Sequence, residues 1–132
     1  MIVHSNAMFL VDTDVLIWLI RGRQEYIDWF HDIVKDNPIR ISTISVAEIY
    51  KNVFPTELLR TEQVLAEFED IPITREIAKQ AGFYWKQFNK QYKTLHMFDC
   101  LIGATAKEHG LILITLNIRH FPMQDIQVYK AN

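Results

Sequence analysis

Cysteine is almost missing from this chain: Cys100 is the single one, and it sits inside the apolar run Cys100-Leu101-Ile102. Without a disulfide framework the protein suits a reducing compartment, which points to a cytoplasmic site and leaves a periplasmic one open. Glycine is scarce as well, and none of the four belongs to a phosphate-cradling loop, so nucleotide-driven motor functions are excluded. No apolar run approaches the roughly 20 residues that a membrane span requires, and the longest, near the N-terminus, is broken by Asp12 and Asp14. A positive surplus is also lacking: 14 basic side chains face 16 acidic ones, for a net charge of −2. Proteins that grip duplex nucleic acid through many phosphates carry a basic excess. Any nucleic-acid contact here must be local and short, or mediated by a metal. The five histidines (His4, His31, His96, His109, His120) show no zinc spacing, and one cysteine cannot complete a zinc site.

What remains is an ordinary globular composition. The 132 residues, 49% hydrophobic and 23% charged, make one folded domain rather than a disordered tail. Residues 1–7 carry no basic segment followed by an apolar core, which argues against a signal peptide. Ser5-Asn6-Ala7 ahead of Met8 reads as a tag remnant or N-terminal extension, leaving 8–132 as the domain.

Strands and helices alternate along it. Phe9-Leu10-Val11 reads as a short buried strand, and Asp12-Thr13 cap a helix through Val15–Ile20 that stops at Gly22. An amphipathic helix follows near 24–36, with Ile27, Phe30, Ile33 and Val34 on one face and Asn37-Pro38 as its end. Ile39–Ser42 is a second strand. Ser45 opens the next helix, through Val53, and Ser45-Val46-Ala47-Glu48 matches a capping box. Pro55 separates it from a helix over 56–69 with Leu58, Leu59, Val64, Leu65 and Phe68 inward. Ile71-Pro72-Ile73 is at best an edge strand, since proline removes a ladder donor. The longest helix covers 74–92, its stripe Tyr84-Trp85-Phe88-Tyr92 suiting core or a subunit interface better than base stacking. Another runs from Met97 to His109 and is capped by Gly110. Leu111–Thr115, apolar on both faces, suits a central parallel strand. The pattern predicts a three-layer α/β/α domain with a small parallel sheet.

Acidic and amide side chains recur at the ends of these runs. Asp12 and Asp14 follow the first strand, Glu48 lies just into the helix after the second, Asp99 opens a late helix, and Asn117 follows the last strand. Each has a local explanation as a cap, a macrodipole partner or a turn residue. Together they need one cause, because carboxylates brought close repel and raise one another's pKa. Ligands of parallel sheets bind beyond the carboxyl ends of the strands, where these groups would converge. Hard oxygen donors suit Mg²⁺ or Mn²⁺, which can activate water and neutralise phosphodiester charge.

Four segments carry a resemblance. Phe9-Leu10-Val11-Asp12-Thr13-Asp14-Val15-Leu16-Ile17, Ser45-Val46-Ala47-Glu48-Ile49, Phe98-Asp99-Cys100-Leu101-Ile102-Gly103-Ala104-Thr105-Ala106 and Thr115-Leu116-Asn117-Ile118-Arg119-His120-Phe121 look like the successive motifs of PIN domains. More narrowly they resemble the VapC-type toxins of VapBC toxin–antitoxin pairs, over Met8 to Tyr129 and in order. The resemblance implies a Mg²⁺- or Mn²⁺-dependent endoribonuclease with Asp12, Glu48 and Asp99 as its acidic core. Asn117 stands where the family has aspartate or asparagine, one negative charge fewer, which leaves one or two metals open. Asp14 fills a position that a smaller polar residue often holds, and Thr13 and Thr115 are the hydroxyls expected to orient water or carboxylates. Arg119 and His120 are candidate RNA-phosphate contacts. The implied partners are RNA, a small VapB-like antitoxin docked in a groove that Trp18 and Trp29 mark, and a second copy of the chain.

Two rivals come from other classes. A receiver-type signalling domain also gathers aspartates around Mg²⁺ at strand ends, but it needs a lysine after a late strand, and Leu113-Ile114-Thr115-Leu116 offers none. A non-catalytic module that only docks a partner protein would bind no metal.

Overall fold

The computed structural model describes residues 8–35, 37 and 39–131, without the side chains of Ile33 and Val34. The expected N-terminal extension over residues 1–7 and the proline stop at Pro38 lie outside the described residues.

Five strands form one all-parallel sheet: β1 (Phe9–Val11), β2 (Ile39–Ser42), β3 (Glu69–Ile71), β4 (Ile112–Thr115) and β5 (Gln127–Lys130), in the order β3-β2-β1-β4-β5. Phe9, Leu10 and Val11 are fully buried, since helices cover both faces of the sheet and leave no polar side for alternation. Successive side chains still point to opposite faces. Phe9, Val11 and Ile114 join one core with Val15, Leu16, Leu19 and Phe30. Leu10 and Leu113 join the other with Ile77, Ala81, Tyr84, Ile102 and Phe121. The three-layer α/β/α architecture read from the sequence is therefore the observed one.

Helical segments connect the strands: α1 (Thr13–Ile20), α2 (Gln24–Val34), α3 (Thr43–Tyr50), α4 (Leu58–Leu65), α5 (Arg75–Phe88) and α6 (Met97–His109), with a 3₁₀ turn over Pro55–Glu57 leading into α4 and a second over Ile118–His120 after β4. Asp12 caps α1 by accepting from the Thr13 amide at 2.8 Å. Gly110 ends α6 in the left-handed region, φ 62°, which a side chain would disfavour.

Local expectations needed correction in several places. The α3 helix starts at Thr43 and its cap is Ser42, which accepts from the Ile44 amide at 3.1 Å, so Ser45 lies inside the helix and makes no capping box. The expected 56–69 helix is a 3₁₀ turn followed by a shorter α4, and its last residue, Glu69, opens β3. Because a 3₁₀ turn advances three residues per turn, the α4 face is rotated: Leu58 and Leu59 are exposed and Thr61 is buried. The α5 helix ends at Phe88, not Tyr92, and Trp85 and Tyr92 are exposed. The middle strand is β1, with β4 beside it, and β5 was not foreseen.

The strand order fixes where a site can form. From β1 the chain proceeds outward through β2 and β3, then crosses to β4 on the other side of β1. That reversal opens a crevice beyond the carboxyl ends of β1 and β4. Asp12 follows β1 immediately, and Thr115 ends β4.

Candidate metal centre

A cavity of about 400 Å³ opens at this reversal, lined by Asp12, Thr13, Asp14, Glu48, Asp99 and Asn117 together with Ile17, Lys51, His96, Phe98 and His120. The four acids and the amide singled out in the sequence thus face one space, although they come from four separate segments. A larger cavity, about 940 Å³, lies elsewhere between α2 and α4 and contains none of them.

Each acid is held differently. Asp12 is 5% exposed and accepts from the Thr13 amide and, at 2.7 Å, from the Thr115 hydroxyl, a bond that bridges β1 and β4 across the reversal. Asp14 accepts from the Leu116 amide at 3.2 Å and lies 3.4 Å from the Thr115 hydroxyl. Glu48 accepts from the Thr13 hydroxyl at 2.6 Å, and Thr13 lies 2.9 Å from the buried Ser45 hydroxyl. Among the described residues the buried Asp99 Oδ2 atom has no hydrogen-bond partner, and His120 Nδ1 stands 3.9 Å from it. Asn117 begins the 3₁₀ turn after β4, its amide donating to the Thr115 hydroxyl at 3.0 Å.

The electrostatics express crowding. Burial, and then the charge of Asp14, push the Asp12 carboxyl up to about 8. Burial also raises Asp14, against hydrogen bonds from the Leu116 and Val15 amides. Asp99 is raised by burial, opposed by His120 and His96 and assisted by Glu48. Carboxylates that resist ionisation next to one another are stabilised by an added positive charge.

The donor set fits a hard dication. Carboxylate and amide oxygens suit Mg²⁺ or Mn²⁺, and the unpartnered Asp99 oxygen is an acceptor awaiting a donor or cation. Among the described residues, however, no three His, Cys, Asp or Glu side chains stand close enough together to hold one ion between them. Acids spread around a 400 Å³ cavity suit an ion that keeps several waters and takes few direct carboxylates, as Mg²⁺ does.

Some of the lining was not read from the sequence. Ser45 supports Thr13 from below, and Lys51, His96 and Phe98 border the acids. Lys51 lies three residues after Glu48, at the C-terminal cap of α3, a helical spacing that carried the signal. Arg119 is exposed and does not line the cavity, whereas its neighbour His120 does. Trp18 and Trp29 are half-buried, and Trp18 stacks on Tyr26 with Arg23 over its ring at 5.0 Å.

Known proteins resemble the chain over nearly its whole length. A family model described as PIN domain matches residues 9–124. Ribonuclease VapC10 of Mycobacterium tuberculosis is 39% identical over 116 residues, 88% of this chain and 87% of the relative. Among solved structures, VapBC2 from Rickettsia felis bound to a DNA fragment from their promoter superposes with a TM-score of 0.82 at 18% identity, covering 95% of this chain and 99% of that one. A toxin–antitoxin complex from Klebsiella pneumoniae gives a TM-score of 0.72 at 28% identity, covering 96% and 98%.

Proposed function

The chain belongs to the PIN-domain family, in its VapC-type branch, and from that premise we propose that it is a divalent-metal-dependent endoribonuclease, the toxin of a toxin–antitoxin pair. The observation that carries the proposal is the buried, unpartnered Asp99 oxygen in the same cavity as Asp12, Asp14 and Glu48. An anionic cluster of this kind is costly without a cation, and hydrolysis of a phosphodiester is chemistry that a hard dication supports.

In this reading Asp12, Glu48 and Asp99 hold Mg²⁺ or Mn²⁺, and Asn117 completes the ligand set. When bound, the ion supplies charge neutralisation at the phosphate and lowers the pKa of water. The protein's own contributions are positional. Thr115 fixes Asp12, Thr13 aims Glu48 into the cavity, and the Leu116 amide restrains Asp14. Lys51 places positive charge at the border of an otherwise acidic cavity, where a phosphate must enter, and the His120 imidazole stands beside it.

The proposed partners rest on solved neighbours described as toxin–antitoxin assemblies, those from Rickettsia felis and Klebsiella pneumoniae among them. A small VapB-like antitoxin is the proposed occupant of the groove between α2 and α4, lined by Leu19, Ile27, Phe30, Val64 and Phe68. The exposed Phe83 and Trp85 of α5 suit a homodimer contact. Among the described residues no helix is long and apolar enough to cross a membrane, and the proposed site of action is the cytoplasm.

The receiver-type alternative loses ground on topology, because receiver sheets run 2-1-3-4-5 and this one runs 3-2-1-4-5. The deciding experiment is cleavage of total RNA with Mn²⁺ present. Activity should vanish with EDTA and in Asp12→Ala while the fold persists. Full cleavage by Asp12→Ala refutes the mechanism, and normal antitoxin binding without Mn²⁺ binding would favour a non-catalytic docking module.

A further inference from the structure

Phe98 presents an aromatic ring at the rim of the acidic cavity. It occupies the second position of α6, whose next residues, Cys100 and Ile102, fill the core, yet it is 39% exposed and lines the acidic cavity one residue ahead of Asp99. The Lys51 ammonium stands 5.7 Å from the Phe98 ring centroid. That contact is between exposed groups and therefore weak, so the ammonium readily leaves the ring face for an anionic partner. Among the described residues, Lys51 is also the one lysine or arginine that lines the cavity.

We infer that Phe98 and Lys51 form a nucleotide subsite beside the acidic cavity: one unpaired base of the RNA stacks on the Phe98 ring, and Lys51 takes the phosphate attached to it. The inference rests on the ribonuclease reading and adds to it the residues that choose the nucleotide next to the cut. Every base presents a π-face, but only an unpaired one can offer it to a side chain. A ring fixed one residue before Asp99 places the stacked nucleotide's phosphate over the acids. The cation at the ring is what lets a polyanion approach a cavity with four carboxylates, in a protein of net charge −2.

The test uses the full chain with Mn²⁺ and an RNA oligonucleotide spanning a cut site mapped on total RNA. Phe98→Ala should lower kcat/KM about ten-fold, mainly through KM, in line with the loss of one stacked base. Phe98→Trp should retain activity. An abasic nucleotide beside the cut should reproduce the loss in wild type and add nothing in Phe98→Ala. Lys51→Met should weaken cleavage and reduce the slope of log KM against log salt by about one phosphate contact. Mn²⁺ affinity should be unchanged in all of these variants. Equal cleavage by Phe98→Ala, or an abasic penalty that persists in it at full size, overturns the subsite and leaves the ribonuclease reading standing. Loss of antitoxin binding by Phe98→Ala with unchanged cleavage assigns the ring to the protein partner and also overturns it. A wild-type protein that cuts no RNA overturns both, and the abasic comparison in wild type decides the case even if a Phe98 variant fails to fold.

Discussion

Thr13 joins two carboxylate-bearing segments: its hydroxyl donates to Glu48 Oε1 at 2.6 Å while standing 2.9 Å from Ser45 Oγ. A hydroxyl has one proton, so Thr13 gives it to Glu48 and accepts from Ser45, which is fully buried. The relay fixes one rotamer of a long, flexible acid at the edge of the cavity. Thr13→Val keeps the shape and removes the relay. Cleavage should fall about 10–100-fold, the usual cost of losing an outer-shell partner, while Thr13→Ser retains most activity. Parallel RNA cleavage and Mn²⁺ titrations would check this, and an unchanged Thr13→Val enzyme would show that Glu48 needs no tether.

Asp12 makes the metal-free fold sensitive to pH in an unusual direction. Its carboxyl is raised from 3.8 to about 8, first by burial and then by Asp14. A raised acid holds its proton more tightly folded than unfolded. Its contribution is complete below the unfolded pKa and is lost as pH climbs toward 8. With each unit equivalent to about 1.4 kcal/mol, Asp12 is worth on the order of a few kcal/mol. In EDTA the thermal midpoint should therefore fall between pH 5 and 8, and Mn²⁺ should restore it at pH 8 far more than at pH 5. A flat profile across that window would contradict the assigned burial of charge.

The same argument separates stability from activity. Asp12→Asn removes the buried charge and keeps an oxygen for the Thr13 amide. In EDTA it should melt well above wild type at pH 8, the gap should narrow as the pH falls toward 4, and at no pH should it cleave RNA. Calorimetry beside a cleavage assay reads both, and a variant that melts lower at pH 8 would show that Asp12 is held chiefly by its hydrogen bonds.

Much of this architecture was visible in the sequence, for physical reasons that also explain the misses. Phe9–Val11 and Ile112–Thr115 are apolar without alternation because both faces of their sheet are covered, and that signal is local. Asp12 was legible because it adjoins such a run, and Asp99 because it opens the apolar helical stretch Cys100–Ala104. Glu48 was found, but its partner was misassigned, since Thr13 lies 35 residues away and a capping-box motif sees only three. Strand β5 was missed because Gln127-Val128-Tyr129-Lys130 is half exposed at the sheet's edge and carries polar ends. Lys51 and Phe98 become neighbours only through the packing of α3 against α6.

Thr61 is a defect that the sequence hid. Its hydroxyl is fully buried and has no hydrogen-bond partner among the described residues. An unsatisfied buried hydroxyl costs about 1–3 kcal/mol, and valine has nearly the same shape. Thr61→Val should raise the urea midpoint without changing its slope, and leave Mn²⁺ binding and cleavage as they are. A destabilised variant would mean that the hydroxyl has a partner, such as a water.

The foreseen helix α5 and the unforeseen strand β5 are tied by one hydrogen bond. Tyr84 is buried except for its edge, and its hydroxyl donates to Asp125 Oδ1 at 2.7 Å, while Lys107 Nζ of α6 stands 3.6 Å from Asp125 Oδ2. Asp125 lies in the turn that leads into β5, so the bond pins that turn to the α5–α6 layer. Burial and the neighbouring Asp125 carboxylate both raise the phenol's pKa, and Tyr84 stays protonated as the donor across the working range. Tyr84→Phe keeps the ring in the core and removes the donor. It should cost about 1–2 kcal/mol, as a neutral donor to a charged acceptor does. The loss should appear first as faster amide exchange in Gln127–Lys130, before any change near Asp12. Exchange that accelerates uniformly over the sheet would instead make β5 part of one cooperative unit with β1 and β4.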